Sequence, residues 1–515
     1  MLVAVVVCYG PSTVEAQPGL PVARLTSVFP PGGQRGTTFD VAILGVDLDE
    51  ARQLQFSDPA ISAVPKTVPP GLGQSGPQPV PSQFVVTIKP EAKSGVCDVR
   101  AVGKYGISTP RAFAVGTLRE FTEAEPNNTL AKAMPIEVNS TVNGRAGGAA
   151  DQDYFKFTAK KGQRLTLDCW AYRIDSRMDA TLVLFDAAGA EVARNRDTNR
   201  FDPLLDVVIP ADGDYYALVY DFLYGGSNDH FYRLTISSAP YIDFVLPPAG
   251  QAGTAGKFML YGCNLPGGKP SPVLVGGKPL EMLEVQIQLP SGGAANDLAW
   301  TGGIEPDESG LDGIEYHLDS PLGPSNSVLI GIAVAPVVAE QEPNDTPDKA
   351  QRIAVPCEIY GQFNPRRDQD WFTFEAKQGD IFWIEVFSER LAEPTDPFLL
   401  VQHVTTSAAG KEEVKELQAM DDLAQGPKGQ TALDVTTEDP AYRYVAPANG
   451  MVRVLVRNLY YTATGDPRHL YRLAIHRPQP DFRLVAVPRS TPGNTVAAQA
   501  KPDVESPVLR RGGAQ

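Results

Sequence analysis

Short alternations of apolar and polar residues run along the chain from residue 22 to residue 477. Phe39-Asp40-Val41-Ala42-Ile43-Leu44 and Phe84-Val85-Val86-Thr87-Ile88 are early examples; Tyr154-Phe155-Lys156-Phe157, Arg164-Leu165-Thr166-Leu167-Asp168-Cys169 and Ala180-Thr181-Leu182-Val183-Leu184-Phe185 follow. Side chains of an extended strand point to opposite faces in turn, so a period of two predicts half-buried strands. Turn formers such as Lys161-Gly162 and Asp212-Gly213 separate the runs. Short strands with regular turns predict β-sandwiches. The Pro-rich stretch from Pro65 to Pro81 reads as a loop.

The pattern occurs twice. Glu125-Pro126-Asn127-Asn128-Thr129 returns 217 residues later as Glu342-Pro343-Asn344-Asp345-Thr346, and Asp151-Gln152-Asp153 returns at the same offset as Asp368-Gln369-Asp370. Pro30-Pro31 and Leu44-Gly45-Val46-Asp47-Leu48 return as Pro247-Pro248 and Tyr261-Gly262-Cys263-Asn264-Leu265. A constant register of this length defines a duplicated two-module unit, an array rather than one enzyme body. The expected fold is all-β, with tandem sandwiches at 22–118, 120–238, 240–335 and 337–477. Residues 478–515 read as a linker or the start of a further module. Gly213 corresponds to Gly450 at an offset of 237, so the second copy has gained about 20 residues. The gain falls near Gly410-Lys411-Glu412-Glu413-Val414-Lys415-Glu416, expected as a longer solvated loop or hairpin.

Charge narrows the function. The net charge of −16 argues against nucleic acid, whose binding rests on Lys and Arg neutralising phosphates. A carboxylate excess suits hard cations such as calcium. The apolar start Met1-Leu2-Val3-Ala4-Val5-Val6-Val7-Cys8, followed by Val14-Glu15-Ala16, reads as a signal segment over residues 1–16 and predicts a secreted, surface or periplasmic protein. No later segment has the length and apolarity of a membrane helix. Cys97, Cys169 and Cys263 align with Ile314, Val386 and Val46 of the sister copies, which predicts buried single thiols.

The densest set of oxygen ligands is Glu123, Glu125, Asn127, Asn128, Asp151 and Asp153, repeated as Glu340, Glu342, Asn344, Asp345, Asp368 and Asp370. Each set leads through a glycine, Gly144 or Gly361, into Asp-x-Asp-aromatic. This pattern resembles the bacterial pre-peptidase C-terminal domain family, with a late Gly-x-Tyr strand in the first copy that becomes Gly450-Met451-Val452 in the second. The resemblance implies β-sandwiches appended to secreted peptidases and surface proteins, some of which bind calcium through the leading segment. It maps the family's ligands onto the twelve residues just named. The modules ahead of them resemble immunoglobulin-like modules of the IPT/TIG kind, through Pro-Pro, Gly and a strand ending in Gly-x-Asn/Asp-Leu.

Alternation puts Asp151, Asp153, Phe155 and Phe157 on one strand face, with the carboxylates at the edge of the core. Calcium takes about six to eight oxygens, which such a cluster supplies. The same residues also serve as turn and cap formers that need no metal. With five carboxylates against four, the second copy is expected to bind calcium more tightly.

Tyr216, Tyr220, Phe222 and Tyr224 fall on one strand face, as half of a core or as a row that grips a ligand; Tyr224 and Tyr461, near strand ends, are the candidates for exposure and ligand binding. No His-Glu-x-x-His, Gly-x-Ser-x-Gly or phosphate-binding glycine loop is present. The expected function is therefore non-catalytic: an exported binding or spacer array for extracellular protein or polysaccharide, stiffened by calcium. The alternatives are the accessory part of a longer secreted hydrolase and a structural component of the cell envelope.

Overall fold

A computed structural model describes residues 21–71, 75–198, 201–292, 311–422 and 437–478. The expected signal segment, Cys8 and nearly all of the expected C-terminal linker lie outside the described residues. The described strands form eight sheets, stacked in pairs around four apolar cores. The chain is all-β, as the alternation predicts.

In the first sandwich one sheet orders Arg24–Phe29, Thr38–Val46, Gln78–Ile88 and Ile61–Val68 side by side. The facing sheet is Gly32–Gln34, Arg111–Gly116, Gly95–Gly103 and Gln53–Phe56. Phe84, Val86 and Ile88 point inward from one strand, and Phe113 meets them from the other sheet. The Pro65–Pro81 stretch is the expected loop only in its middle, where the described residues between Val68 and Gln78 belong to no strand. Its ends are strand, with Thr67 opposite Pro79 and Val68 opposite Gln78. The prolines fit because Ile61–Val68 is an edge strand with a register irregularity after Pro65, while Pro79 and Pro81 lie beyond the part of their strand that pairs on both sides. A proline is tolerated where no ladder N–H is required.

The second and fourth sandwiches share one path. In the second, Arg119–Thr122, Ser140–Arg145, Phe231–Ser237, Arg164–Trp170 and Leu204–Val208 form one sheet. Gln152–Ala159, Gly213–Asp221 and Ala180–Asp186 run through the middle of the other. The fourth repeats this order strand for strand, from Val337–Ala339 and Cys357–Gln362 to Leu470–His476. Part of its extra length extends a hairpin: Pro397–Thr406 and Glu412–Met420 replace the shorter Ala180–Asp186 and Glu191–Asn195, and Glu412 to Glu416 are exposed; the rest falls between Met420 and Ala441, largely outside the described residues. Cys169, Cys263 and Cys357 are buried and Cys97 is half-buried, and none of the four is in a disulfide. Among the described residues no helix is long and apolar enough to cross a membrane.

Candidate functional site

The first oxygen cluster is assembled at the rim of the second sandwich by two strands. Arg119–Thr122 pairs in parallel with Ser140–Arg145 and delivers Glu123, whose N–H donates to the Asn143 carbonyl at 3.0 Å. Gln152–Ala159 buries Asp153, Phe155 and Phe157 on one face, as alternation requires. Asp151 immediately precedes the strand, and Gly147 N and Gln152 N donate to its two oxygens at 2.8 and 3.1 Å.

Carboxylate oxygens of Glu125, Asp151 and Asp153 lie within 4.8 Å of one another, and Glu342, Asp368 and Asp370 repeat the arrangement. The buried Asn127 amide reaches into the triad, one end 3.1 Å from Glu125 Oε2 and 3.0 Å from Asp153 Oδ1; Asn344 does the same at 3.2 Å from Glu342 Oε2 and 3.1 Å from Asp370 Oδ1. With nitrogen at that end, the amide donates to both carboxylates. With oxygen there, only oxygens converge, and a proton or a cation among them relieves the repulsion. The donor set is all oxygen, and Asp370 Oδ2 is buried without a hydrogen-bond partner. Both features fit a hard cation of the calcium type.

The remaining predicted residues stand around each triad. Glu123 accepts from Arg145 N at 2.6 Å and from the Tyr232 hydroxyl at 3.3 Å, and the same hydroxyl donates to Asp153 Oδ2 at 2.7 Å. Asn128 points its nitrogen at Asp151 Oδ1, 2.6 Å away. Glu340 accepts from Gln362 N at 2.9 Å and from Tyr471 at 2.7 Å. Asp345 is exposed, and its charge raises the pKa of Asp368. Tyr232 and Tyr471 are fully buried site residues that the ligand pattern did not single out. Their signal was available in the repeated Tyr-Arg-Leu of Tyr232-Arg233-Leu234 and Tyr471-Arg472-Leu473.

Burial is the main force on these carboxyls. It pushes Glu123 up to about 9, with Asp153 adding repulsion, and Asp153 up to about 7, with Asp151 and Glu125 adding theirs. In the second cluster burial carries Glu340 to about 7 and Asp368 to about 6, and lifts Asp370 well above the carboxylate range. A desolvated carboxylate group in this state takes up protons or a cation.

The tyrosines depart from expectation. On Gly213–Asp221 the core face carries Tyr215, Ala217 and Val219. Tyr220 packs on the other face with Tyr154, Val183, Phe185 and Leu218, so the expected row is not half of the main core. Tyr224 is 51% exposed and stacks on Tyr220. Tyr461 is half-buried beneath the Arg457 guanidinium, and its neighbour Tyr460 is the exposed one at 60%. One residue of turn register decides which ring faces solvent.

A cleft of about 2050 Å³ lies between the four sandwiches. Val46, Trp170, Tyr172, Tyr241 and Tyr460 line it among arginines and carboxylates. Tyr172, 43% exposed, is braced edge-on by Phe201 at 5.0 Å.

The sequence profile of the bacterial pre-peptidase C-terminal domain matches residues 151–221, from Asp151 to Asp221. A Deinococcus radiodurans protein named "Probable subtilase-type serine protease" is 38% identical over 98 residues, which is 18% of this chain and 14% of that protein. The pre-peptidase C-terminal domain of a Bacillus anthracis collagenase aligns over 99% of its length and 22% of this chain, at 19% identity and a TM-score of 0.18. A Bacteroides ovatus protein of a mixed-linkage glucan utilization locus, SGBP-B, aligns over 87% of this chain and 72% of its own, at 10% identity and a TM-score of 0.14.

Proposed function

We propose that this chain is a non-catalytic binding and spacer array that works outside the cell and grips an extended polysaccharide or protein strand in the cleft between its sandwiches. The cleft carries this reading. Exposed tyrosine rings beside carboxylates and guanidinium groups give flat apolar faces with polar edges, the combination suited to a ligand that is itself amphipathic. The match over residues 151–221 supports an extracellular accessory role. The strand order shared by the second and fourth sandwiches supports a second domain of the same kind at 337–477. The sandwiches at 22–118 and 240–335 are read as the immunoglobulin-like modules of the two units.

Calcium in the two oxygen clusters is part of the proposal. A bound cation would replace the protons that the buried carboxyls otherwise hold. Glu125, Asp151, Asp153 and Asn127 would hold it in the first cluster, and Glu342, Asp368, Asp370 and Asn344 in the second. Glu123 and Glu340 would stand behind them through Tyr232 and Tyr471.

The test is retention of the full chain on insoluble cellulose, chitin and fibrous collagen, with and without calcium. Retention on one of them that falls roughly tenfold in Tyr460→Ala or Tyr172→Ala is expected, the loss typical of an aromatic hot spot. Retention on none, or retention indifferent to both changes, removes the cleft reading. A second reading, the accessory portion of a longer secreted peptidase, is favoured by the subtilase-type relative. A peptidase signature in the same reading frame would decide for it.

A further inference from the structure

One buried arginine sits at each junction between an immunoglobulin-like sandwich and the sandwich that follows it. Arg233 and Arg472 occupy the same place in equivalent strands, opposite Asn143 and Tyr360. Both side chains are 6% exposed. Their carboxylate partners come from different strands. In the first unit Arg233 Nη1 and Nη2 donate to Glu120 at 2.8 and 2.7 Å, and Nη1 also donates to Asn143 Oδ1 at 2.9 Å. Glu120 belongs to the outer strand Arg119–Thr122, opposite Thr141 on its neighbour. In the second unit that pair of positions is Val337 opposite Glu358. The acid has moved one strand inward, and Arg472 Nε donates to Glu358 Oε2 at 2.5 Å.

The preceding sandwich shows the matching exchange. In the first unit Gly32 of the outer strand lies opposite Ala114 of the inner one, and in the second Ala249 lies opposite Gly331. A Cβ on Gly32 would stand 2.5 Å from Arg233 Nη1, besides striking the Ala114 carbonyl; a Cβ on Gly331 would stand 2.7 Å from Arg472 Nη1. At this pair of positions, where the carboxylate is on the outer strand the glycine is on the outer strand of the partner, although Gly116 of the inner strand also meets the ion pair, a Cβ there standing 2.7 Å from Glu120 Oε1 and 3.3 Å from Arg233 Nη2. Where the carboxylate is on the inner strand, so is the glycine. A carboxylate draws the guanidinium toward its own strand, and the backbone then facing that guanidinium has no room for a methyl group.

We propose that this arginine is a pairing lock: the strand that carries its carboxylate dictates which strand of the preceding sandwich must lack a side chain, so each two-module unit is rigid and its sandwiches are specific to each other. The lock does not depend on calcium. The occupant of each arginine surface is the preceding sandwich of the same chain. Apolar contacts complete both junctions, Ala112, Ala114, Ile174 and Phe231 in the first and Leu329, Phe387, Leu391 and Ala474 in the second.

The test uses the full chain, read by solution scattering and by elastase cleavage of the exposed link at Val334, in calcium and in chelator. Gly331→Ala is expected to raise cleavage about tenfold and to increase the radius of gyration, while the core amides keep their exchange protection. Moving the acid and the glycine outward together in that background, with Val337→Glu, Glu358→Thr and Ala249→Gly, is expected to return the scattering curve toward the native one. Ala249→Gly alone, which removes a methyl from the other strand, is expected to leave the junction closed. A harmless Gly331→Ala overturns the lock. An opening that the moved acid does not reverse overturns the link between acid and glycine. Should the quadruple variant fail to fold, an opening by Ala249→Gly as large as that by Gly331→Ala overturns it equally. Opening of the unmodified chain on chelation alone would make the cation, not the arginine, the fastener.

Discussion

The two oxygen clusters share a scaffold and differ in how charge is settled. In the first, Asn128 donates to Asp151 and an arginine, Arg145, stands at the edge, stacked on Phe29 of the preceding sandwich at 4.0 Å. In the second, Asp345 takes the place of Asn128, Gln362 takes the place of Arg145, and Asp370 keeps a buried oxygen without a partner. The first cluster is partly neutralised by its own side chains; the second leaves more charge for something else to meet. The lesson is that a repeated fold holds a ligand geometry constant while single side chains set how strongly that geometry needs a ligand.

The largest effect tests what the copies have in common. Asp202 accepts hydrogen bonds from the backbone of Ala171, Tyr172 and Arg173 and from Arg173 Nε, and Asp439 serves Ser388, Glu389 and Arg390 in the same way. Both aspartates are fully buried. Replacing either by Ala leaves three backbone N–H groups without their acceptor and the arginine with only its second carboxylate, Asp168 or Glu385, and is expected to cost about 3–5 kcal/mol in the melting of its own sandwich. Markedly unequal costs would mean that the two frames are not equivalent. Next come the phenols: Tyr232→Phe and Tyr471→Phe each remove a donor to buried carboxylates, with an expected loss of about 1–3 kcal/mol in chelator by denaturant unfolding.

Calcium affinity is expected to separate the copies by a smaller margin. Calorimetry on the full chain is expected to resolve two sites, the second tighter by roughly tenfold, which is about 1.4 kcal/mol. Asn128→Asp should strengthen the first and Asp345→Asn weaken the second; if neither moves its site, charge count is not what ranks them. The pH response follows from carboxyls whose folded pKa is raised. Such groups hold protons in the folded state that the unfolded chain has released, so they stabilise fully at acid pH and that contribution is lost as pH rises from about 4.5 to about 9. Melting in chelator should therefore fall over this window for the second sandwich, where Glu123 and Asp153 titrate, and calcium should flatten or reverse the fall. A rise in chelator would contradict the burial of these groups.

The smallest effect concerns the tyrosines at the strand ends. Tyr224→Ala is expected to change stability by less than about 0.5 kcal/mol, as for other exposed sites. Tyr461→Ala also loses the Arg457 contact, worth about 0.5–1 kcal/mol. Equal values would place the two rings in like surroundings after all.

Sequence alone determined the features that rest on periodicity and repetition. Alternation fixed which of Phe155, Phe157, Phe84 and Val86 point inward, because a strand has only two faces. The 217-residue register paired Glu125, Asp151 and Asp153 with Glu342, Asp368 and Asp370 before any distance was known. Tertiary structure decided whatever depends on which strands become neighbours. Tyr461 folded under Arg457 while Tyr460 turned outward, and Pro65 joined an edge strand while Pro79 and Pro81 joined the strand beside it, beyond its doubly paired part. Tyr232 and Tyr471 reached the carboxylates from strands far away in the chain. The arginine locks were hidden for the same reason: Arg233 finds Glu120, 113 residues away, only across a sheet and against the backbone of another sandwich. Local pattern carries no information about such partners, since a period of two says which way a side chain points and nothing about what it will meet there.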